Sequence, residues 1–188
     1  MQRRTFLTGI VSAACSSPAW AQKAAKREPD VPYVPTTEEA VAAMLKLAEV
    51  KQSDIVYDLG CGDGRIVIAA AKIYGAHGVG IDINPERIAE AKLNAKKAHV
   101  EHLVRFEEKD LFVADIRPAT VVALFLLNSV NLKLRPKLIR DLKPGTRVVS
   151  NTFNMGDWNP ERQVDLNVPE EDFLSKTLYL WRIPSAVK

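Results

Sequence analysis

Apolar positions recur along the chain in two rhythms. Behind Thr36-Thr37-Glu38-Glu39, whose Thr36-to-Glu39 spacing is that of a capping box, Val41, Met44, Leu45 and Ala48 fall at i, i+3, i+4 and i+7. That pattern predicts an amphipathic helix over 37–48. Residues 55–59 form a short apolar run ending at glycines, which reads as a buried strand. Residues 65–74 are small and aliphatic nearly all round, as suits a helix packed tightly on a sheet. A second strand is predicted over 79–83, with His77 opening it. Asn84 caps the next helix with Pro85 at its first position, and that helix runs to about residue 98. Residues 104–107 predict a third strand and 121–126 a fourth, fully apolar and therefore central. A helix over 134–142 tolerates Pro136 only in its first turn, and Lys143-Pro144-Gly145 stops it. Residues 147–152 predict a fifth strand, and 163–166 with 177–181 an antiparallel hairpin that closes the sheet. Strand and helix alternate throughout, so the expected fold is α/β: a Rossmann-like, doubly wound sheet, mostly parallel, covered on both faces.

At 188 residues, 47% hydrophobic and 26% charged, the chain is long enough for one well-filled domain, and its composition excludes disorder and a disulfide-stapled scaffold. The first 21 residues depart from this pattern. Arg3-Arg4-Thr5-Phe6-Leu7 precedes a short apolar stretch, and Ala19-Trp20-Ala21 supplies a small-x-small cleavage pattern. The segment reads as an export signal of twin-arginine type, which predicts a periplasmic address, or a cytoplasmic one if the signal is not used. Residues 22–35, charged and then proline-spaced, read as an extended approach to a domain over 36–188. Without residues 1–21 the chain carries 24 basic and 23 acidic residues, which gives no electrostatic case for nucleic acid as a partner. No run reaches the roughly 18 apolar residues of a membrane-spanning helix. The two cysteines, Cys15 and Cys61, suggest neither an intrachain disulfide nor a thiolate metal site.

The chemistry concentrates after the first strand. Tyr57-Asp58-Leu59-Gly60-Cys61-Gly62-Asp63-Gly64-Arg65 lies between a strand and its helix, where open α/β sheets bind ligands. Glycines at 60, 62 and 64 let a ligand rest on backbone. A dinucleotide fingerprint needs a small residue at position 65, and Arg65 stands there. The same crevice collects Asp58, Asp63, Asp82 and Asp110, which repel a pyrophosphate but suit an ammonium, a sulfonium, ribose hydroxyls and an adenine amine. Asp82 lies at the strand end from which an acid reaches ribose hydroxyls.

The run Asp58-Leu59-Gly60-Cys61-Gly62-Asp63-Gly64, with Gly80-Ile81-Asp82-Ile83 and Lys109-Asp110-Leu111, resembles the first three motifs of class I S-adenosylmethionine-dependent methyltransferases. The resemblance covers roughly residues 36–152. It implies S-adenosyl-L-methionine as cofactor, with Gly60 and Gly62 lining its methionine portion, Asp63 and Gly64 completing the loop, and Asp58 orienting the amino group. It further implies that Asp82 holds the ribose, that Asp110 faces the adenine amine, and that Ile83 and Leu111 pack on the ring. No metal is required, because methyl transfer from a sulfonium is an in-line displacement that needs positioning and dryness.

The methyl acceptor is less legible. Leu126-Leu127-Asn128-Ser129 replaces the Asn/Asp-Pro-Pro-Tyr signature of enzymes that methylate planar nitrogens, leaving Asn128 either to offer a carbonyl to an amine or to cap a helix. Pro32-Tyr33-Val34-Pro35-Thr36, the Gly62-Asp63-Gly64-Arg65-Ile66 form and Asn151-Thr152-Phe153 resemble small protein-lysine methyltransferases. On that resemblance Tyr33 and Thr36 close over the cofactor or the lysine channel, and the acceptor is a protein lysine. A small-molecule acceptor remains open, as does a noncatalytic exported module that binds the cofactor or a nucleoside. Trp158, Trp181 and Phe153 read as hairpin core more readily than as a substrate platform.

Overall fold

The computed structural model describes residues 33–167 and 177–185. The export signal expected over 1–21 and most of the extended approach over 22–35 lie outside the described residues.

Eleven elements are described: α1 (Glu38–Leu47), β1 (Ile55–Leu59), α2 (Arg65–Tyr74), β2 (His77–Asp82), α3 (Pro85–Lys97), β3 (Val104–Glu108), β4 (Val121–Leu124), α4 (Asn128–Asp141), β5 (Arg147–Asn151), β6 (Arg162–Asp165) and β7 (Thr177–Arg182). The strands form one sheet in the order β3-β2-β1-β4-β5-β7-β6. The first five are parallel; β7 runs antiparallel to β5, and β6 antiparallel to β7. Chain order reverses between β1 and β4, which opens a crevice at their carboxyl ends.

Alternation along each strand divides the core. Val56, Val121, Ala123, Val149 and Leu180 pack toward α1, α2 and α3, whereas Tyr57, Val79, Val122, Leu124 and Trp181 pack toward α4 and the segment around Ile116. At the amino ends of the strands, opposite the crevice, Arg147 donates to Asp54 Oδ1 at 2.5 Å and to the carbonyls of Ala48 and Glu49 at 2.7 and 2.9 Å. Thr120 donates to the same Asp54 oxygen at 2.8 Å. Burial favours the neutral acid, but the Lys51 amide, Thr120 and Arg147 together hold the Asp54 carboxyl below its ordinary range. This buried knot ties the last turn of α1 to β1, β4 and β5.

The differences from the sequence reading have local causes. Thr37 rather than Thr36 caps α1, accepting from the Ala40 amide at 3.2 Å. Helix α4 begins at Asn128, six residues before the predicted start, with Pro136 inside it. Val130, Leu134 and Leu138 repeat at four-residue spacing and are buried. Pro136 and Leu132 are both exposed, so the hydrogen bond that Pro136 cannot make falls on the solvent side of the helix. Strand β4 ends two residues early because Phe125 and Leu126 leave the ladder for the crevice. Asn151 ends β5, and Thr152 turns away with φ 66°. No helix among the described residues is long and apolar enough to cross a membrane.

Candidate active site

The carboxyl ends of the central strands open onto a cavity of about 620 Å³, a size typical of small-molecule sites. Each strand contributes a different chemistry. β1 carries Asp58 as its penultimate residue and runs into Gly60 and Cys61; β2 ends in Asp82 with Ile83 beyond it; β3 is followed by Lys109, Asp110 and Leu111; β4 leads to Phe125 and Leu126. Residues 33–36 form a strap along the rim.

The glycine loop is held from below. The amides of Gly60 and Cys61 both donate to the Ile81 carbonyl, at 2.8 and 3.0 Å, and the Gly62 amide donates to Asp82 Oδ2 at 2.9 Å. The other Asp82 oxygen accepts from the Asn84 amide at 2.9 Å, so this acid fixes loop and helix start together. Gly60 adopts φ 86° and Gly62 φ 52°, conformations that side chains resist. A Cβ on Gly62 would stand 2.3 Å from Tyr33 Cε2, so the tyrosine ring lies directly on the loop. Gly64 packs instead against Phe106 and Ala91, and its role is to let α2 and α3 approach the sheet.

Arg65, at the position that separates this loop from a dinucleotide fingerprint, pairs with Asp63, not Asp58. Its Nε and Nη2 reach Asp63 at 2.9 and 2.7 Å, and its Nη1 donates to the Thr36 carbonyl at 2.6 Å. Burial favours a neutral Asp63, but the bonds and charge of Arg65 outweigh it and hold the carboxyl below its ordinary range. The strap is thus latched to the glycine loop, and the Arg87 guanidinium stacks over the Tyr33 ring at 4.8 Å. Burial, with the charge of Asp63, raises the Tyr33 phenol, which therefore stays neutral at ordinary pH.

The electrostatics of the floor follow from pairing. The three cations on the lining are each engaged by an acid: Arg65 by Asp63, Arg87 by Glu90 at 2.6 Å, and Lys109 by Glu107 at 3.7 Å. Asp82 and Asp110 supply the negative charge at the strand ends, and Asp58 stands beside them as a buried acid. Asp58 is 3% exposed, and burial, with the charges of Asp82 and Asp63, pushes its carboxyl up to about 8. The same burial and the charges of Asp58 and Asp82 push the Cys61 thiol up, so it is no nucleophile. Asp110 Oδ1 accepts from the Phe112 amide at 2.8 Å.

Of the residues expected at the site, Tyr33, Asp58, Gly60, Asp63, Asp82, Ile83, Asp110 and Leu111 line this one cavity. Gly62 and Gly64 lie behind the lining, under Tyr33 and Phe106. Asn128 is exposed on the first turn of α4; the lining there is Phe125, Leu126 and Val130, and Asn128 does not cap the helix, whose first turn has no side-chain cap. Phe125, Val130 and Arg87 went unsingled in the sequence. The only signal for Phe125 is its place at the end of a fully apolar strand.

The donor set fits a cationic nucleoside cofactor: bare backbone at Gly60, acids at three successive strand ends, and the apolar Ile83 and Leu111 between them. That set, on a sheet of order 3-2-1-4-5-7-6 with an antiparallel seventh strand, defines a class I S-adenosylmethionine-dependent methyltransferase. A family model described as the ANTKMT methyltransferase domain matches residues 58–162, and the chain belongs to this family. It is 49% identical over 156 residues to a protein-lysine N-methyltransferase of Saccharolobus islandicus, covering 82% of this chain and 95% of the relative. It is 35% identical over 170 residues to the adenine nucleotide translocase lysine N-methyltransferase of Mus musculus, covering 85% and 74%. Among solved structures it is similar to one described as an RNA methyltransferase from Salinibacter ruber in complex with S-adenosyl-L-homocysteine, at 53% identity and TM-score 0.77, covering 82% and 97%.

Proposed function

We propose that the chain transfers a methyl group from S-adenosylmethionine to the side-chain amine of a protein lysine. The observation that carries this is the two-ended cavity: acids at the β1, β2 and β3 ends, and an apolar end of Phe125, Leu126 and Val130 beyond β4. The relatives named for lysine methylation support the acceptor. When bound, S-adenosylmethionine supplies an electrophilic methyl on a sulfonium. The residues of the chain do the rest by position. Asp82 and Asp110 draw the cationic, hydroxylated ligand to the strand ends, and Asp58 gives up its proton as the ammonium and sulfonium arrive. The strap and the Tyr33 ring keep water from the loop. An acceptor lysine arrives as an ammonium of pKa about 10.4 in water. Passage between Phe125, Leu126 and Val130 strips its hydration and lowers that value, so its proton leaves to solvent before attack. Tyr33, whose phenol is raised, serves as a neutral wall rather than as a base.

An RNA acceptor is the second reading, on the description of the Salinibacter ruber structure. The near balance of charge beyond residue 21, and the pairing of every cation on the lining with an acid, favour lysine. The test uses labelled S-adenosylmethionine with a protein extract and, separately, with total RNA, followed by hydrolysis and separation of the products. Label in methylated lysines, lost in Asp82→Ala, is expected. Label confined to nucleosides would move the acceptor to RNA, and label in neither from a protein that binds the cofactor would point to a small molecule.

We also propose that residues 1–21 direct export. Fused to a reporter, residues 1–30 should deliver a cleaved product to the periplasm, and an uncleaved reporter confined to the cytosol would sink the idea.

A further inference from the structure

Strands β4 and β5 are neighbours, with Leu124 opposite Ser150. One residue beyond Leu124 stands Phe125, on the cavity lining. Three residues beyond Ser150 stands Phe153, and its ring stacks on Phe125 with centroids 6.1 Å apart and planes at 27°. A tight turn brings the two together. The Phe153 amide donates to the Asn151 carbonyl at 2.7 Å across Thr152, whose φ is 66°. This is the rare, strained form of the γ-turn, with a β-branched residue at its centre. Strain of this kind persists only where the surroundings over-determine it, and it gathers at functional sites.

The surroundings here do so from three sides. Ser150 Oγ donates to the Phe153 carbonyl at 2.7 Å. Asn131, fully buried on α4, gives its Nδ2 to the same carbonyl at 3.1 Å and lies 3.4 Å from that of Asn154, while its own Oδ1 has no partner among the described residues. The Thr152 amide donates to the Thr177 carbonyl of β7 at 2.7 Å. A buried amide that leaves its own acceptor unbonded in order to hold a strained turn marks that turn as something other than a connection.

We propose that Phe125, braced from behind by Phe153, is the aromatic wall along which the acceptor's alkylammonium side chain enters the cavity, and that Thr152, Ser150 and Asn131 are positioning residues for that wall. The proposal rests on the lysine reading above and adds the specificity-determining residues to it. An aromatic face suits this ligand at each stage. It attracts the incoming ammonium, packs against the methylene chain once the proton has gone, and attracts the methylated product, which is cationic again. Leu126 and Val130 complete an apolar sleeve on the side away from the acids.

The experiment uses the full chain with S-adenosylmethionine and polylysine as acceptor probe, on wild type, Phe125→Leu, Phe125→Tyr and Phe153→Leu. Leu keeps an apolar side chain and removes the ring; Tyr keeps the ring. Expected are an acceptor KM raised about five- to thirtyfold in Phe125→Leu, a smaller rise in Phe153→Leu, and restoration in Phe125→Tyr. Cofactor affinity by calorimetry should be unchanged in all three. An active wild type with an unchanged KM in Phe125→Leu would overturn the wall and leave the lysine reading standing. So would Phe125→Tyr behaving as Phe125→Leu does, or a loss of cofactor binding equal to the rise in KM. A wild type that binds cofactor and methylates no amine would overturn both.

Discussion

Burial, with the charges of Asp82 and Asp63 nearby, pushes the Asp58 carboxyl up to about 8. At pH 7 about nine molecules in ten therefore hold it as a neutral acid. A ligand that brings an ammonium and a sulfonium to the crevice favours the carboxylate, so binding S-adenosylmethionine should expel the proton: about 0.9 per site at pH 7, falling to about 0.1 at pH 9. The logarithm of the association constant should climb by about one for each pH unit below 8 and then level off. Calorimetric titrations in two buffers of unlike ionisation enthalpy measure the released protons directly. The ligand's own amine titrates identically with either protein, so the difference between wild type and Asp58→Asn isolates this carboxyl. Equal proton release by the two proteins at pH 7 would refute the reasoning. The same shift fixes the sign of a pH-dependent stability. Its folded form binds more protons than its unfolded form between the ordinary value of 3.8 and about 8, so the contribution of Asp58 to stability falls as pH rises through that window. Asp58→Asn should flatten the fall.

Two further outcomes are expected away from the cofactor floor. Arg147→Met leaves the Asp54 carboxylate buried without its partner and takes the guanidinium from the Ala48 and Glu49 carbonyls just after α1. Urea unfolding near neutral pH should show a loss of about 3–5 kcal/mol. Because Asp54 is held below its ordinary range, the difference between the proteins should shrink as pH falls below about 4. Arg65→Gln breaks the latch between Asp63 and the Thr36 carbonyl. Arg65 is one-third exposed, so the loss is modest, and a cofactor Kd raised about fivefold, with an unchanged urea midpoint, is the result that calorimetry and unfolding should return.

The parts of the fold that sequence discloses are those fixed by neighbours in the chain. Asp58 and Asp82 stand within the last two residues of β1 and β2 and Asp110 two residues beyond β3, so placing the strands places the acids. The glycine loop declares itself for the same reason, since φ 86° at Gly60 is a local requirement. Arg65 shows the limit. Its role is legible only once residues 36 and 65 are known to meet, because the group it latches is a backbone carbonyl that carries no residue signature. Asp54 and Arg147 lie 93 positions apart, and neither belongs to a motif. The early start of α4 is hidden by Pro136, whose cost in a helix is real but is met on the wet face. The Phe125–Phe153 pair needs both the adjacency of β4 and β5 and a turn that the propensity of Thr152 argues against.

The strap has a bearing on how the protein should be handled. Residues 33–36 form the rim of the cavity, so any group attached to them stands at the mouth of the site. A bulky label attached there would compete with the acceptor for space, and its effect should be assayed as a variable in its own right. Used deliberately, the same geography is an instrument. A small fluorophore introduced at Val34, exposed on the rim, would sit where cofactor and acceptor arrive, and would report the occupancy of the site without a label on either ligand.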